Sequence, residues 1–153
     1  MTENIKIVTQ NRKAHHDYFI IEIYEAGISL TGPEVKSLRN GRANLTDSYG
    51  RIEKEEAFLF NAHISAYDPA YEKEYEPTRT RKLLLHKREI KKLLGRVREK
   101  GLTLVPLEIY FKNGKAKVAL ALVKGKKTYD KRDALRKRDI ERETRRTLRG
   151  RGN

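Results

Sequence analysis

The stretch LTLVPLEIYFKNGKAKVALALV, Leu102 to Val123, decides the fold class. Asn113-Gly114 is the dipeptide best suited to a two-residue hairpin, since both residues tolerate the positive φ that a type I′ turn demands. On the returning segment Val118, Leu120 and Leu122 form one apolar face, the period-2 signature of a half-buried strand. Pro106 has no amide hydrogen to donate and predicts an edge or a bulge in the outgoing strand.

Similar patterns lie upstream. In DYFIIEIYEAG, Asp17 to Gly27, residues Phe19, Ile21 and Ile23 share one face, while Tyr18, Ile20, Glu22 and Tyr24 share the other. That predicts a strand, with a turn at Ala26 and Gly27 and a second strand over Ile28 to Thr31. TGPEVKSLRNG, Thr31 to Gly41, predicts a short helix. Thr31 stands three residues before Glu34 as in a capping box, Pro33 suits the first turn, Val35 and Leu38 share a face, and Gly41 ends it. Residues Ser48 to Ile64 predict a hairpin in which the charged EKEE divides SYGRI from AFLFNAHI. Asp68 to Arg81 is polar and predicts a loop. HKREIKKLLGRVREKG, from His86, predicts a longer helix with Ile90, Leu93, Leu94 and Val97 on one face, Lys87, Arg88, Lys91, Lys92, Arg96 and Arg98 on the other, and Gly101 as its stop. Short strands at hairpin spacing, interrupted by two helices, favour a mainly β fold, a small closed barrel with added helices; a split βαβ sheet is the alternative.

At 153 residues the chain has room for one domain and an appendage. Residues 1–123 are expected to form the domain. Residues 124–153 carry 13 Lys or Arg against 5 Asp or Glu and follow the last apolar run, which marks them as a basic tail. Between Asp130 and Arg149 helix formers abound, but Leu135, Ile140 and Leu148 make no continuous stripe. A tail of this kind is expected to be disordered when free and to become helical on a partner. The net charge of +14 points to a polyanionic partner, with nucleic acid the first choice. No apolar run approaches the roughly 20 residues of a membrane span, the N-terminal stretch shows no secretory signal, and there is no cysteine. A cytoplasmic location is expected.

Catalytic motifs are missing: there is no phosphate-binding glycine loop, no nucleophile elbow and no H-E-x-x-H. The histidines are His15, His16, His63 and His86; His63, within a predicted strand, reads as a packed residue rather than a ligand. Glu53, Glu55 and Glu56 read as solubilising charge at a hairpin tip. No enzyme, cofactor or metal is expected. NRKAHHDY, Asn11 to Tyr18, sets the cations Arg12 and Lys13 beside three rings that can stack on bases, although solvated surface explains the stretch equally well. Glu34 is explained by its capping box alone, or it accepts hydrogen bonds from RNA amid Lys36 and Arg39.

NRKAHHDY, GPEVKSLRNGRANLTDSY, EAFLFNAHI, PTRTRKLLLHKREI, LVPLEIYFKNGKAKVALALVKGKK and YDKRD, taken in this order, closely resemble the small protein B family from about Asn11 to about Arg138. The resemblance implies an oligonucleotide-binding (OB) type barrel. It implies an adaptor that binds the tRNA-like domain of transfer-messenger RNA and carries it to stalled ribosomes for trans-translation, meaning peptide tagging and ribosome rescue. The partners implied are that RNA, the decoding centre and messenger channel of the ribosome, and, indirectly, the elongation factor and alanyl-tRNA synthetase that act on the same RNA. Residue by residue it places RNA contacts at Glu34 with its neighbours and at Leu84 and His86. Together with the basic stretches, the expected RNA-binding set is Asn11, Arg12, Lys13, Tyr18, Glu34, Lys36, Arg39, Leu84, His86 and Arg88. The family's tail motif falls on Gly125, Lys126, Lys127, Asp130, Lys131 and Arg132, with Tyr129 beside it. His86 is Asn in some relatives and Tyr129 is His in others. Stacking survives the second change, whereas a role for an imidazole proton does not. The competing expectations are a general ribosomal or initiation-factor-like RNA-binding barrel and an RNA-processing enzyme.

Overall fold

A computed structural model describes residues 4–68, 74–99 and 101–126. The strands are β1 (Ile5–Gln10), β2 (Tyr18–Ile28), β3 (Ala43–Asn44), β4 (Tyr49–Glu53), β5 (Glu56–Phe60), β6 (His63–Ile64), β7 (Arg81–Leu84), β8 (Leu102–Lys112) and β9 (Lys115–Gly125). The helices are α1 (Arg12–Asp17), α2 (Gly32–Arg39) and α3 (Lys87–Arg96).

The fold is mainly β. Its large sheet runs β1-β8-β4-β5-β7-β2-β9, and β9 pairs again with β8, so the pairings from β8 onward close into a ring with β1 outside it. The β8–β9 hairpin organises this ring. Asn113 and Gly114 take φ of 50° and 81° in its turn, as their sequence predicts. Val118, Leu120 and Leu122 are fully buried on its inner face, against Leu59, Leu83, Leu93, Leu104 and Ile109. Ala119, Ala121 and Val123 are buried on the other face, where Ala14 of α1 covers them together with Val105, Leu107 and Tyr110.

The bulge predicted at Pro106 is present: the β8–β9 register shifts between Pro106 and Glu108. On the opposite edge of β8, β1 reaches only Glu108 and β4 pairs only at Leu104. Asn11 plugs the gap. Its backbone N–H donates to the Leu107 carbonyl at 2.7 Å, and its side-chain amide donates to the carbonyls of Pro106 at 3.0 Å and Leu45 at 3.3 Å.

Three expectations need correcting. No turn interrupts Ala26 and Gly27; β2 continues through them to Ile28, with Ala26 opposite Val118 and Gly27 opposite Lys117 on one side and Leu84 on the other. Glycine serves close packing there, since a Cβ on Gly27 would meet the Leu84 Cβ at 3.2 Å. The segment AFLFNAHI is not one strand, because Asn61 has φ of 62° and hands the chain from β5 to β6, which pairs with β3 instead. The predicted loop from Asp68 ends in a strand residue, Arg81, that is wholly buried. The sequence pattern also leaves β1 and α1 unmarked. Helix α3 stops at Val97, ahead of Gly101, and buries Leu93. Phe19, Ile20, Ile21 and Ile23 of β2 remain 37–58% exposed around a register shift between Ile20 and Glu22.

Candidate nucleic-acid interface

Helix α2 begins as its sequence predicts. Thr31 Oγ1 accepts from the Glu34 N–H at 3.3 Å, and the Thr31 N–H donates to Glu34 Oε1 at 2.9 Å, closing the capping box. The same carboxylate carries a second role that local sequence does not reveal. Arg79 Nη2 donates to its Oε1 at 2.6 Å, Arg81 Nε donates to its Oε2 at 2.7 Å, and the Tyr75 hydroxyl lies 3.3 Å from Oε2.

Arg81 is buried and fully satisfied. Its remaining four N–H groups reach the carbonyls of Ala62, Arg79 and Pro77 and the Tyr75 oxygen at 2.7 to 3.2 Å. All five guanidinium donors thus have acceptors, the condition under which a charge can be kept from water. Burial alone pushes the Glu34 carboxyl pKa up. Hydrogen bonds from Arg79, the Thr31 backbone and Arg81, with the Arg81 charge, outweigh it and hold the group down at about 2. The result is a cross-link joining α2, β7 and the segment from Tyr75 to Pro77, with the half-exposed Arg79 side chain on its outer side.

Two of the expected contact residues are buried in the fold. Glu34 presents no side-chain surface to solvent, and Asn11 is occupied by the bulge in β8 and by the Ala14 N–H, which its side-chain oxygen accepts at 3.1 Å. Each acts inside the fold, holding up surface that others present. Arg12 and Lys13 are exposed on α1, and Lys13 pairs with Asp47 at 2.8 Å. Lys36 and Arg39 are exposed on α2, each near a ring: the Lys36 ammonium is 5.3 Å from the Tyr67 centroid and the Arg39 guanidinium 5.9 Å from that of Phe111. Leu84 is 54% exposed beside Gly27, and His86 is exposed at the N-terminus of α3, its N–H held by Glu89 at 3.0 Å.

The basic face of α3 is divided. Lys92 and Arg96 lie 3.4 and 3.6 Å from Glu22, whereas Lys87, Arg88, Lys91 and Arg98 are exposed. The start of the tail meets the N-terminal cluster: Gly125 pairs with Tyr18 and lines an open cavity of about 240 Å³ with Lys13, Tyr18 and Asp47. The Lys126 ammonium stands 5.1 Å from the Phe19 ring centroid. Lys127, Tyr129, Asp130, Lys131 and Arg132 lie outside the described residues. Among the described residues no group of His or carboxylates has the make-up of a metal site, and no helix is long and apolar enough to cross a membrane.

The residues that sequence reasoning missed are Tyr75, Arg79 and Arg81. They stand in a polar stretch, and only the period-2 spacing of Arg81 with Leu83 hints that this arginine faces inward.

Comparison with known proteins agrees with the expected family. The family model described as SmpB protein matches residues 8–150. The SsrA-binding protein of Geobacillus kaustophilus is 57% identical over 146 residues, covering 95% of this chain and 94% of that protein. The SsrA-binding protein of Moorella thermoacetica is 59% identical over 152 residues, covering 99% and 98%. A solved chain described under "tmRNA-SmpB: a journey to the center of the bacterial ribosome" is similar at a TM-score of 0.66 and 54% identity, over 77% of this chain and 83% of that one. Matched along nearly its whole length and by relatives of this similarity, the chain belongs to the small protein B (SmpB) family.

Proposed function

We propose that the protein is a non-enzymatic adaptor that binds the tRNA-like domain of transfer-messenger RNA and delivers it to stalled ribosomes. The observation that carries this reading is identity of 57–59%, over at least 95% of the chain, to proteins named for binding SsrA, the transfer-messenger RNA. The charge of +14 and the exposed cations of α1, α2 and α3 fit a phosphate-rich partner. The ring of strand pairings serves as an OB-type barrel in this reading, a scaffold that offers both RNA-stacking surface and cationic surface.

In the same reading Arg12, Lys13, Lys36, Arg39, Leu84, His86 and Arg88 meet RNA directly, and Asn11 and Glu34 position them. Tyr18 sits at the root of the tail. The tail beyond Lys126 enters the messenger channel, where phosphate on all sides neutralises one face of Lys and Arg after another, and binding and helix formation are one event. Tyr129 stacks at the decoding centre beside Lys131 and Arg132.

Competition binding tests the reading. Labelled tRNA-like domain bound to the full chain is challenged with unlabelled tRNA-like domain or with duplex RNA of equal length. The adaptor reading expects the tRNA-like RNA to compete at far lower concentration; equal competition would identify a general RNA-binding barrel instead.

A further inference from the structure

Beside the Glu34 cluster lies an open cavity of about 400 Å³, within the range of small-ligand sites, walled by Pro33, Ala66, Tyr67 and Tyr75. Thr31, Ser65 and Asp68 line it as well. Tyr67 is 45% exposed, and the Lys36 ammonium lies 5.3 Å from its ring centroid. Arg79, anchored on Glu34, leaves 40% of its side chain exposed. An aromatic wall near two cations, on a protein carrying +14, suits a flat ring attached to a phosphate chain better than an apolar peptide.

We propose that the cavity between Pro33, Tyr67 and Tyr75 receives one unstacked RNA base, with Tyr67 as its stacking platform and Glu34 as its positioning residue. This inference rests on the RNA-binding reading above and adds to it a specific subsite. Lys36 and Arg79 take the flanking phosphates, while Ser65 offers an acceptor for a base edge. The role of Glu34 follows from its bonds. Two parts of the cavity wall depend on this carboxylate: the Thr31 N–H donates to it at 2.9 Å, and the Tyr75 oxygen accepts at 3.2 Å from Arg81, its ion-pair partner. A buried acid thereby fixes the width of a site that takes RNA.

The test uses the full chain bound to a transcript of the tRNA-like domain. Irradiation at short ultraviolet wavelength, followed by digestion and mass spectrometry, is expected to find a nucleotide adduct on Tyr67. Tyr67→Ala is expected to weaken binding roughly tenfold, in the range of a lost base stack, without changing the salt slope, and Tyr67→Phe to restore it. Wild-type affinity in Tyr67→Ala, or adducts only on residues away from the cavity while RNA is bound, overturns the subsite and leaves the RNA-binding reading standing. A wild-type chain that does not bind the transcript at all overturns both.

Discussion

Arg81 and Glu34 form an ion pair with neither side chain exposed to solvent, their charged atoms 2.5 Å apart at the nearest. Isolated in a protein interior either charge would be strongly unfavourable; together they are tolerated because every donor on Arg81 has an acceptor and both oxygens of Glu34 accept. The pair joins the helix that carries Lys36 and Arg39 to the strand that leads to Leu84 and His86.

Removing one partner therefore has a large effect. Glu34→Ala leaves Arg81 buried and uncompensated and is expected to cost about 3–5 kcal/mol, a large part of the 5–15 kcal/mol typical of a domain. A capping box alone accounts for only about 0.5–2 kcal/mol. Urea denaturation of wild type and variant at neutral pH separates the two: a loss below about 2 kcal/mol with unchanged slope would reduce Glu34 to a cap.

Acid should act through the same carboxyl. Its pKa is lowered from the ordinary 4.5 to about 2 in the folded protein, so the folded state binds its proton less readily than the unfolded state. The stabilisation is complete above about pH 4.5 and is lost as the pH falls towards 2, a contribution on the order of 3 kcal/mol. Denaturation midpoints measured from pH 5 to pH 2 should fall more steeply in the wild type than in Glu34→Gln. Parallel curves would contradict the assignment.

RNA affinity should depend steeply on salt, because each phosphate neutralised releases counterions and contributes about 0.7–0.9 to the slope of log K against log salt. Lys87→Ala and Lys91→Ala, at exposed positions on α3, are each expected to lower that slope by about 1 if they meet phosphate. Lys92→Ala should lower it less, since Glu22 already partners that ammonium. A flat salt dependence would exclude phosphate contact.

How much was legible in the sequence depended on whether a local pattern set the structure. The β8–β9 hairpin and the α2 cap were readable because Asn113-Gly114 and Thr31 with Glu34 act on their immediate neighbours. Gly27 was misread as a turn because a glycine at a close strand crossing carries the same letter as one in a turn, and Leu84, 57 residues away, decides between them. Arg81 was invisible for the same reason: an arginine in a polar run reads as solvent-facing until Glu34 is brought to it. For Glu34 the position was legible and the mode of action was not, because burial belongs to the assembled fold.

The tail is expected to be separable from the domain. β9 passes Val123 and pairs to Gly125, so a chain ending at Lys126 keeps the whole strand. That truncation is expected to retain its melting transition and most of its affinity for the tRNA-like RNA, while failing to support peptide tagging in a reconstituted translation system with stalled ribosomes. Full tagging activity would remove the messenger-channel role from residues 127–153.

The adaptor reading is tested most directly by the RNA that the protein holds in cells. Affinity-tagged full-length chain, recovered at physiological salt from bacteria that make transfer-messenger RNA, is stripped of RNA and the RNA is sequenced against the input. Strong enrichment of transfer-messenger RNA over ribosomal and transfer RNAs is the predicted result. RNA recovered in proportion to its abundance in the lysate would contradict the account.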